Sequence, residues 1–357
     1  MYRHLKVDPR ATRAVEGFRL PEELGFGITM LPALIRGDYE QGEWGPLRLV
    51  PYEPFQIDPA AKVFFYSQEI FEGMKAYRHP ELGAAIFRPD FLQERMNRSA
   101  RRMLMPELPE EYFLEGVHGI AALAEPFIPM GPGESLYLRP YMISTEPGLG
   151  LAPSSTYRFA VLALPSSSYF STDFLDVLIE REYCRAARGG TGFAKTGGNY
   201  SAAMQADRKA RGLGFQQTVW LDPLERSYVE ELSGMNFFAL VDGVLETPEL
   251  TDSILGGSTR DSLMQLAARE GIPVREVRID INQLKAQIES GRCTEAFVCG
   301  TAAIVMSLRC LGEEDGSRVC FEEAPGPVAS LLRDKLMGIQ QRTEPDEFGW
   351  MVQVEPL

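Results

Sequence analysis

The sequence is short of the residues on which several common kinds of site depend. Its three histidines, His4, His79 and His118, are scattered and have no partners at ligand spacing, so neither a histidine metal site nor a Ser-His-Asp triad is expected. The five cysteines are odd in number, and no two of them have C-x-x-C spacing. We therefore expect reduced core or surface thiols, and no metal site.

Long apolar runs and an excess of positive charge are also missing. No apolar run is long enough to cross a bilayer, and residues 1–13 lack the apolar core of a signal peptide, so we expect a cytoplasmic protein that does not bind a membrane. The 36 basic and 50 acidic residues give a net charge of −14, which disfavours nucleic acid as a partner. With 357 residues, 45% of them hydrophobic, the chain is long enough for two globular domains.

Hydrophobic patterning predicts a mixed α/β (α+β) protein in which each domain has a mixed or antiparallel sheet with packed helices. The polar, serine-rich segment 164–175 is expected to be an inter-domain loop between a small N-terminal domain, 1–163, and a large C-terminal domain, 176–357. Strands are predicted at 63–66, 74–77, 83–87, 135–143, 177–183, 217–221, 236–241 and 295–299, with a turn at 67–73. Helices are predicted at about 88–105, 107–127, 201–211 and 261–269.

Lys195 lies in a stretch, residues 189–200, that is nearly half glycine. One interpretation is a flexible surface loop with a solvated lysine. A second is a phosphate loop, but Ala194 replaces the glycine that should precede the lysine, and Gly197 and Gly198 are poor helix formers where the helix should begin. A third is a Schiff-base lysine that holds a carbonyl cofactor.

Two arginines, Arg95 and Arg139, lie at positions where an anion could bind. Arg95 borders the inner face of the helix predicted at 88–105, where it either extends its guanidinium to solvent or meets a buried anion such as a phosphate. Tyr137, Arg139 and Tyr141 share one face of the strand predicted at 135–143. That face is either a solvated sheet surface or a pocket for a carboxylate.

The second half of the chain adds a carboxylate and two tight turns. Glu230 and Glu231 lie beside apolar residues, and the one that points inward requires a cationic partner. Ser258 and Thr259 follow two glycines at a helix start, where they either bind an anion or act as an N-cap. Thr301 lies in a second glycine turn, after a strand. A lysine, an arginine, hydroxyl-bearing turns and an inward carboxylate are together what pyridoxal 5'-phosphate requires.

The chain resembles the branched-chain amino-acid aminotransferases, which are fold-type-IV pyridoxal-phosphate enzymes. The matching stretches span nearly the whole chain in family order: YSQEIFEGMKAYR (66–78), FRPDFLQERMNRSARRM (87–103), LYLRPYMISTEPGLGL (136–151), AKTGGNY (194–200), ELSGMNF (231–237), LGGSTRDS (255–262) and CGTAA (299–303). The resemblance implies a two-domain enzyme that transaminates leucine, isoleucine and valine with 2-oxoglutarate by a ping-pong mechanism.

The resemblance also implies roles for single residues. Lys195 matches the Schiff-base lysine, which also moves the proton between the substrate Cα and cofactor C4′, and Glu231, rather than Glu230, matches the partner of the pyridine nitrogen. Tyr200 matches the hydrogen-bond donor to the cofactor's phenolic oxygen. The phosphate cradle matches Arg95, Ser258, Thr259 and Thr301. The substrate pocket matches Phe71, Gly73, Tyr137, Arg139, Tyr169, Gly234, Thr301 and Ala302.

Other implications concern assembly and departures from the family. Tyr66, Leu149 and Leu151 match residues that the neighbouring subunit contributes, so a homodimer is implied. Ala303 and Met306 replace the redox C-x-x-C pair of some animal members, and Gly234 replaces a threonine found in some relatives. Because an arginine facing an aliphatic substrate is costly when unpaired, we expect Arg139 to keep a second partner.

Three alternatives are left open by these arguments. A D-amino-acid aminotransferase and an aminodeoxychorismate lyase share the expected fold. A nucleotide-binding protein with a degenerate phosphate loop at Lys195 would be colourless, whereas a pyridoxal-phosphate enzyme absorbs visible light.

Overall fold

The computed structural model describes residues 2–3, 5–167, 172 and 174–357. The chain forms two compact units. The first contains residues 1–169, 194–197 and 339–357, and the second contains residues 170–193 and 198–338. This division differs from the expected one, because the lysine segment and the last 19 residues both belong to the first unit.

The first unit is built on a ten-stranded sheet in the order β1-β4-β2-β9-β8-β6-β7-β20, with β3 paired to β2 and β5 paired to β8. Its strands are β1 (Leu5–Val7), β2 (Ala33–Glu40), β3 (Glu43–Trp44), β4 (Leu47–Pro51), β5 (Glu69–Phe71), β6 (Met74–His79), β7 (Gly83–Phe87), β8 (Ser135–Ser144), β9 (Tyr157–Ser166) and β20 (Met351–Gln353). Neighbouring strands are antiparallel except β1 and β4. Along each strand, successive side chains point to opposite faces of the sheet.

The helices described in this unit are α1 (Pro9–Glu16), α2 (Val63–Tyr66), α3 (Pro89–Arg102) and α4 (Glu110–Ala124), and a 3-10 turn, Glu125–Phe127, follows α4. Helices α1, α3 and α4 contribute side chains to the core on the sheet, whereas α2 has no buried residue. Asp8 caps α1 by accepting a hydrogen bond from the Arg10 N–H at 2.8 Å. Leu92, Met96 and Phe113 from α3 and α4 are buried in the same core as the inward residues of β2 and β9.

The second unit holds another ten-stranded sheet, in the order β15-β14-β13-β17-β18-β10-β11-β12-β16, with β19 paired to β18. Its strands are β10 (Phe174–Glu180), β11 (Gln217–Leu221), β12 (Tyr228–Leu232), β13 (Met235–Val241), β14 (Val244–Pro248), β15 (Val274–Val277), β16 (Ile279–Asp280), β17 (Cys293–Gly300), β18 (Ile304–Gly312) and β19 (Arg318–Cys320). An additional β12–β13 pairing closes six of these strands into a ring. Val219, Phe237 and Val298 are buried in its core.

The helices associated with this unit are α5 (Gly197–Gly212), α6 (Ser258–Arg269), α7 (Ile281–Glu289) and α8 (Pro327–Gln340). No helix among the described residues is long and apolar enough to cross a membrane.

Most predicted elements are present, but two between residues 63 and 73 are wrong. Residues 63–66, predicted as a strand, form the single turn of α2, and the turn predicted at 67–73 contains β5. A four-residue apolar run does not distinguish a strand from a helical turn, so propensity alone misled the prediction. Of the segment 164–175, expected to be an inter-domain loop, residues 164–166 belong to β9 and residues 174–175 to β10, and residues 168–171 and 173 lie outside the described residues.

The expectation of reduced thiols is also wrong for one pair. Cys310 and Cys320 face each other across β18 and β19 and form a disulfide, while Cys184, Cys293 and Cys299 are free. The ten-residue spacing carries no recognisable motif, and only the hairpin register brings the two sulfur atoms together.

Candidate active site

The backbone around Lys195 is held in the first unit by hydrogen bonds from β5 and α3. The Lys195 N–H donates to the Ser99 hydroxyl at 2.9 Å, and the Phe71 N–H donates to the Lys195 carbonyl at 3.0 Å. Ser99 in turn donates to the Arg95 carbonyl one helical turn earlier, at 3.1 Å. The Lys195 ammonium lies 5.1 Å from the centre of the Phe71 ring. Lys195 is half-buried and fixed at both backbone groups, unlike a lysine in a flexible surface loop.

Helix α5 begins at Gly197, four residues earlier than predicted. The carboxylate of Glu69 accepts hydrogen bonds from the Gly197 N–H and from the Thr196 hydroxyl. A carboxylate is favourable at a helix start because the first N–H groups lack helical partners and carry partial positive charge. The two glycines therefore do enter a helix, contrary to our argument against a phosphate loop. The anion position at this helix start is nevertheless taken by Glu69.

Arg95 is buried and paired with an anion from its own unit. Its Nε and Nη2 atoms donate to the two carboxylate oxygens of Glu72 at 2.7 and 2.6 Å, and both side chains are almost fully buried. The Gly73 N–H also donates to Glu72, at 3.2 Å. Removing one partner of such a buried pair leaves an uncompensated charge and lowers the free energy of unfolding by about 3–5 kcal/mol. The buried-anion interpretation of Arg95 is thus confirmed and the solvent-exposed one is wrong, although the anion seen here is Glu72.

The predicted tyrosine and arginine face is also present on β8. The Arg139 Nη2 donates to the Tyr137 hydroxyl at 3.0 Å, and its guanidinium carbon lies 4.8 Å from the Phe71 ring centre. The expectation that Arg139 keeps a second partner is confirmed by these contacts. A Cβ at Gly73 would come within 1.9 Å of the Tyr137 hydroxyl, so glycine is required there for the tyrosine to fit. The Arg139 Nε is buried and has no hydrogen-bond partner in the described part of the chain.

The residues expected at a subunit interface lie together in the first unit. The Tyr66 hydroxyl donates to the Leu149 carbonyl at 2.5 Å, and Leu149 and Leu151 are 68% and 87% exposed. Phe64 and Phe65, beside Tyr66 on α2, are 59% and 54% exposed. Tyr169, predicted to line the substrate pocket, lies outside the described residues.

In the second unit, both glutamates of β12 are buried, whereas we expected one to point inward. An oxygen of Glu231 lies 2.5 Å from the Arg185 guanidinium, and the Asn236 amide and the Leu255 N–H donate to the same carboxylate at 3.1 and 3.2 Å. Arg185 is itself buried and also donates to the Gly192 and Ser253 carbonyls. Glu231 therefore has the cationic partner that a buried carboxylate requires.

Glu230, its neighbour in sequence, has a different environment. It accepts a hydrogen bond from the Ser253 hydroxyl, and its other oxygen is buried with no partner among the described residues. Burial raises the pKa of Glu230 to about 7, opposed by the Ser253 hydrogen bond and reinforced by the negative charge of Glu231. The two adjacent carboxyl groups therefore differ, because Glu231 is ion-paired with an arginine and Glu230 is bonded to a neutral hydroxyl.

The start of α6 has the features of an anion site. The N-cap residue is Gly257, and Ser258 and Thr259 are the first two residues of the helix. The N-cap interpretation of Ser258 and Thr259 is therefore wrong. Both are nearly fully buried in the first helical turn, where backbone N–H groups lack helical acceptors. A Cβ at Gly257 would come within 2.1 Å of the Asn236 side-chain oxygen. Asn236 also contacts Glu231, so it links the helix start to that carboxylate.

The remaining predicted residues of the second unit lie near β13 and the β17–β18 turn. Tyr200, half-buried on α5, would be 4.0 Å from a Cβ at Gly234. A Cβ at Gly300 would lie 3.1 Å from the Gly234 carbonyl, and Thr301 and Ala302 follow directly in the turn. Tyr200, Gly234 and this turn are thereby close to one another.

Sequence reasoning missed five residues that hold the predicted ones: Glu69, Glu72, Ser99, Arg185 and Asn236. Glu72 had a recognisable signal, because it follows Phe71 directly and a buried Arg95 demands an acid. Arg185 had none, since it and Glu231 are 46 residues apart and meet only in the folded chain. Glu69 is likewise 128 residues from Gly197, whereas Asn236 faces Glu231 across the short β12–β13 hairpin.

Comparison with known proteins gives one consistent family. The amino-transferase class IV family matches residues 69–310. The branched-chain-amino-acid aminotransferase of Mycolicibacterium smegmatis is 44% identical over 338 residues, which cover 92% of each chain. Among solved structures, the Escherichia coli branched-chain amino acid aminotransferase superposes with a TM-score of 0.75 at 28% identity and covers 89% of this chain and 99% of its own.

A third relative carries a ligand. The T.th. branched-chain amino acid aminotransferase, solved in complex with N-(5'-phosphopyridoxyl)-L-glutamate, has a TM-score of 0.73 at 26% identity and covers 90% of this chain and 99% of its own. The match extends over nearly the full length of each relative. The chain therefore belongs to the class IV aminotransferases, in the group of the branched-chain-amino-acid aminotransferases.

Proposed function

We propose that this protein transaminates L-leucine, L-isoleucine and L-valine with 2-oxoglutarate and releases branched-chain 2-oxo acids and L-glutamate. The observation that carries the proposal is the fixed position of Lys195 beside Phe71, whose ring also contacts Arg139. The names of the relatives supply the substrate class, and the phosphopyridoxyl-glutamate complex of one relative supports glutamate as a partner substrate.

Pyridoxal 5'-phosphate fits the residues present. The buried hydroxyls of Ser258 and Thr259 at the start of α6, together with Thr301, are donors suited to a phosphate ester. Arg95 would add a guanidinium to the phosphate group, and Tyr200 a hydroxyl to the phenolic oxygen. Glu231, held next to Arg185, is a carboxylate suited to a pyridine nitrogen. When bound, the cofactor supplies an electron-withdrawing ring that makes the substrate Cα–H acidic.

Lys195 is the residue that we propose to bind the cofactor aldehyde and to move the proton at the substrate Cα. Hydrogen bonds hold its backbone N–H and carbonyl in place, so the amine moves only by rotation of the side chain. Phe71 provides an apolar contact for an aliphatic side chain, while Arg139 and Tyr137 offer charge-assisted hydrogen bonds to the distal carboxylate of 2-oxoglutarate or glutamate. Tyr169, Gly73, Gly234 and Ala302 remain predicted members of the substrate pocket.

We also propose that the enzyme is a homodimer whose partner contributes Tyr66, Leu149 and Leu151. Four large apolar side chains are exposed on α2 and on the segment that Tyr66 contacts. Contiguous apolar exposure of this kind marks an interaction surface.

Substitution of the lysine tests the proposal. Lys195→Ala should lower kcat with L-leucine and 2-oxoglutarate by at least about 10²- to 10⁴-fold, and borohydride treatment of the wild type should label the peptide that contains Lys195. Lys285 of α7 is paired with Glu313, and Lys285→Ala serves as the control, which should keep full activity.

Turnover of D-alanine in place of L-leucine would point to a D-amino-acid aminotransferase, and lyase activity on aminodeoxychorismate would point to an aminodeoxychorismate lyase. Colourless protein that binds nucleotide would contradict both the cofactor and the reaction.

A further inference from the structure

Glu69 is an acidic residue beside the lysine segment, residues 194–197. The proposed reaction assigns no role to it. It lies on β5, two residues before Phe71, so both side chains are on one face of the sheet. The register pairs Glu69 with Ile143 and Phe71 with Tyr141 of β8, and Tyr137 and Arg139 alternate onto the same face. Glu69, Phe71 and Arg139 therefore share one surface.

The carboxylate of Glu69 is bound to the backbone that follows the lysine. It accepts hydrogen bonds from the Thr196 hydroxyl and the Gly197 N–H, the next two residues after Lys195. A Cβ at Gly197 would lie within 2.6 Å of the same carboxylate oxygen, so the segment approaches Glu69 as closely as glycine allows. Any change of Glu69 thus acts on the chain that carries Lys195.

The positive charge of Arg139 reaches Glu69 across the face that the two side chains share. Burial raises the pKa of Glu69, whereas the hydrogen bonds from Gly197 and Thr196 and the positive charge of Arg139 oppose that rise. Arg139 has a hydroxyl partner in Tyr137 and a buried Nε that lacks a hydrogen-bond partner within the described residues. An aliphatic substrate brings no negative charge to this guanidinium, so the protein must supply one nearby. A dicarboxylate brings its own distal carboxylate.

We propose that Glu69 is a specificity-determining residue, which balances the positive charge of Arg139 so that one pocket accepts both an aliphatic side chain and a distal carboxylate. This inference rests on the proposed function, because it assigns the two substrate classes to the face that holds Arg139. With Glu69 charged, an aliphatic substrate meets a compensated guanidinium. A dicarboxylate gains contact with Arg139 and at the same time meets repulsion from Glu69.

Two variants separate the charge of Glu69 from its hydrogen bonds. Glu69→Gln keeps an oxygen that can accept from Thr196 and Gly197 and removes only the charge, whereas Glu69→Ala removes both. Glu81→Gln, an exposed glutamate in the turn between β6 and β7, is the matched control. The probes are glutarate and 4-methylvalerate, which differ in the distal carboxylate and are not turned over. Their dissociation constants are measured by calorimetry with the holoenzyme, beside KM for 2-oxoglutarate and for 4-methyl-2-oxopentanoate.

Glu69→Gln should tighten glutarate binding and lower KM for 2-oxoglutarate by about 3- to 10-fold, the size expected for removal of one nearby like charge at a partly solvated site. The dissociation constant of 4-methylvalerate should rise or stay within about twofold, because it has no distal charge to gain from the change. Glu69→Ala should in addition lower kcat for both substrate classes, because the lysine segment loses two hydrogen bonds. The control should change nothing.

Equal shifts for both probes in Glu69→Gln, or no shift for either, would overturn the inference while leaving the proposed function intact. A wild-type protein that neither transaminates leucine nor binds either probe would instead overturn the proposed function. The two failures are therefore distinguishable.

Discussion

At the scale of single residues, the site is organised by pairs in which a buried charge meets a fixed partner. Arg95 meets Glu72, and Glu231 meets Arg185. Glu230 is the exception, since it is buried beside Glu231 and one of its oxygens has no partner among the described residues. Sequence reasoning singled out Lys195 by its glycine-rich setting and Arg95 by its place at the border of a buried helix face, and the family resemblance chose Glu231 over Glu230. It did not name the partners, because the signal at Glu72 was overlooked and Arg185 lies 46 residues before Glu231.

The environment of Glu230 predicts a pH-dependent stability. Its folded-state pKa of about 7 exceeds the ordinary value of 4.5, so between these values the folded protein binds a proton that the unfolded chain has released. The free energy of unfolding should therefore fall as the pH rises from about 4.5 to about 7. Glu230→Gln, neutral at every pH, should be on the order of 2 kcal/mol more stable than the wild type at pH 8, with little difference at pH 4.5.

Urea unfolding of both proteins at pH 4.5 and pH 8 measures this difference. Glu249→Gln, an exposed glutamate after β14, is the control and should show no such dependence. A gain in stability that is the same at both pH values would contradict the protonation argument.

At the scale of secondary-structure elements, β8 and the helix of residues 89–102 could be predicted because their patterns are long and periodic. α2 could not, because four apolar residues fit either period. The true start of α5 was hidden as well. Gly197 enters a helix because Glu69, 128 residues earlier, accepts its N–H, and no local signal records that.

The edge of the first sheet has a row of like charges that should limit its stability. Arg48 of β4 lies directly opposite Lys6 of β1 and Arg36 of β2, and Arg36 is paired with an acid, Asp38, at 2.8 Å. Like charges directly opposite each other on neighbouring strands are destabilising. Arg48→Glu should therefore raise the free energy of unfolding by about 0.5 kcal/mol at low salt.

The gain should shrink at high salt, because these side chains are accessible to solvent and their interaction is screened. Arg48→Gln, which removes the repulsion without adding attraction, should fall between the wild type and Arg48→Glu. Denaturant unfolding at about 0.02 and 0.5 M salt measures both effects. A loss of stability in Arg48→Glu, or a gain that salt does not alter, would show that the row of charges is not the cause.

At the scale of the whole molecule, the proposed dimer predicts a link between assembly and activity. Leu151 is 87% exposed, next to Leu149 and the helical turn that carries Phe64 and Phe65. Leu151→Asp would place a charge in the interface, where its desolvation is costly. We expect a shift from dimer to monomer in light scattering, together with at least about a tenfold loss of activity, because the monomer lacks the residues supplied by its partner.

Leu224→Asp is a matched control, since Leu224 is 86% exposed in the turn between β11 and β12, far along the chain from α2. It should remain a dimer and keep its activity. A wild-type protein that is monomeric and fully active would contradict the proposed assembly.

The placement of the last strand has a consequence for synthesis on the ribosome. β20 adds residues 351–353 to the outer side of β7, so β7 stays an open edge until these residues have been translated, after all residues of the second unit. The first unit thus cannot complete its sheet while the second emerges, although most of its sequence is made first. Nascent chains stalled before residue 351 would expose that edge to other stalled chains, and aggregation of truncated products would be its visible outcome.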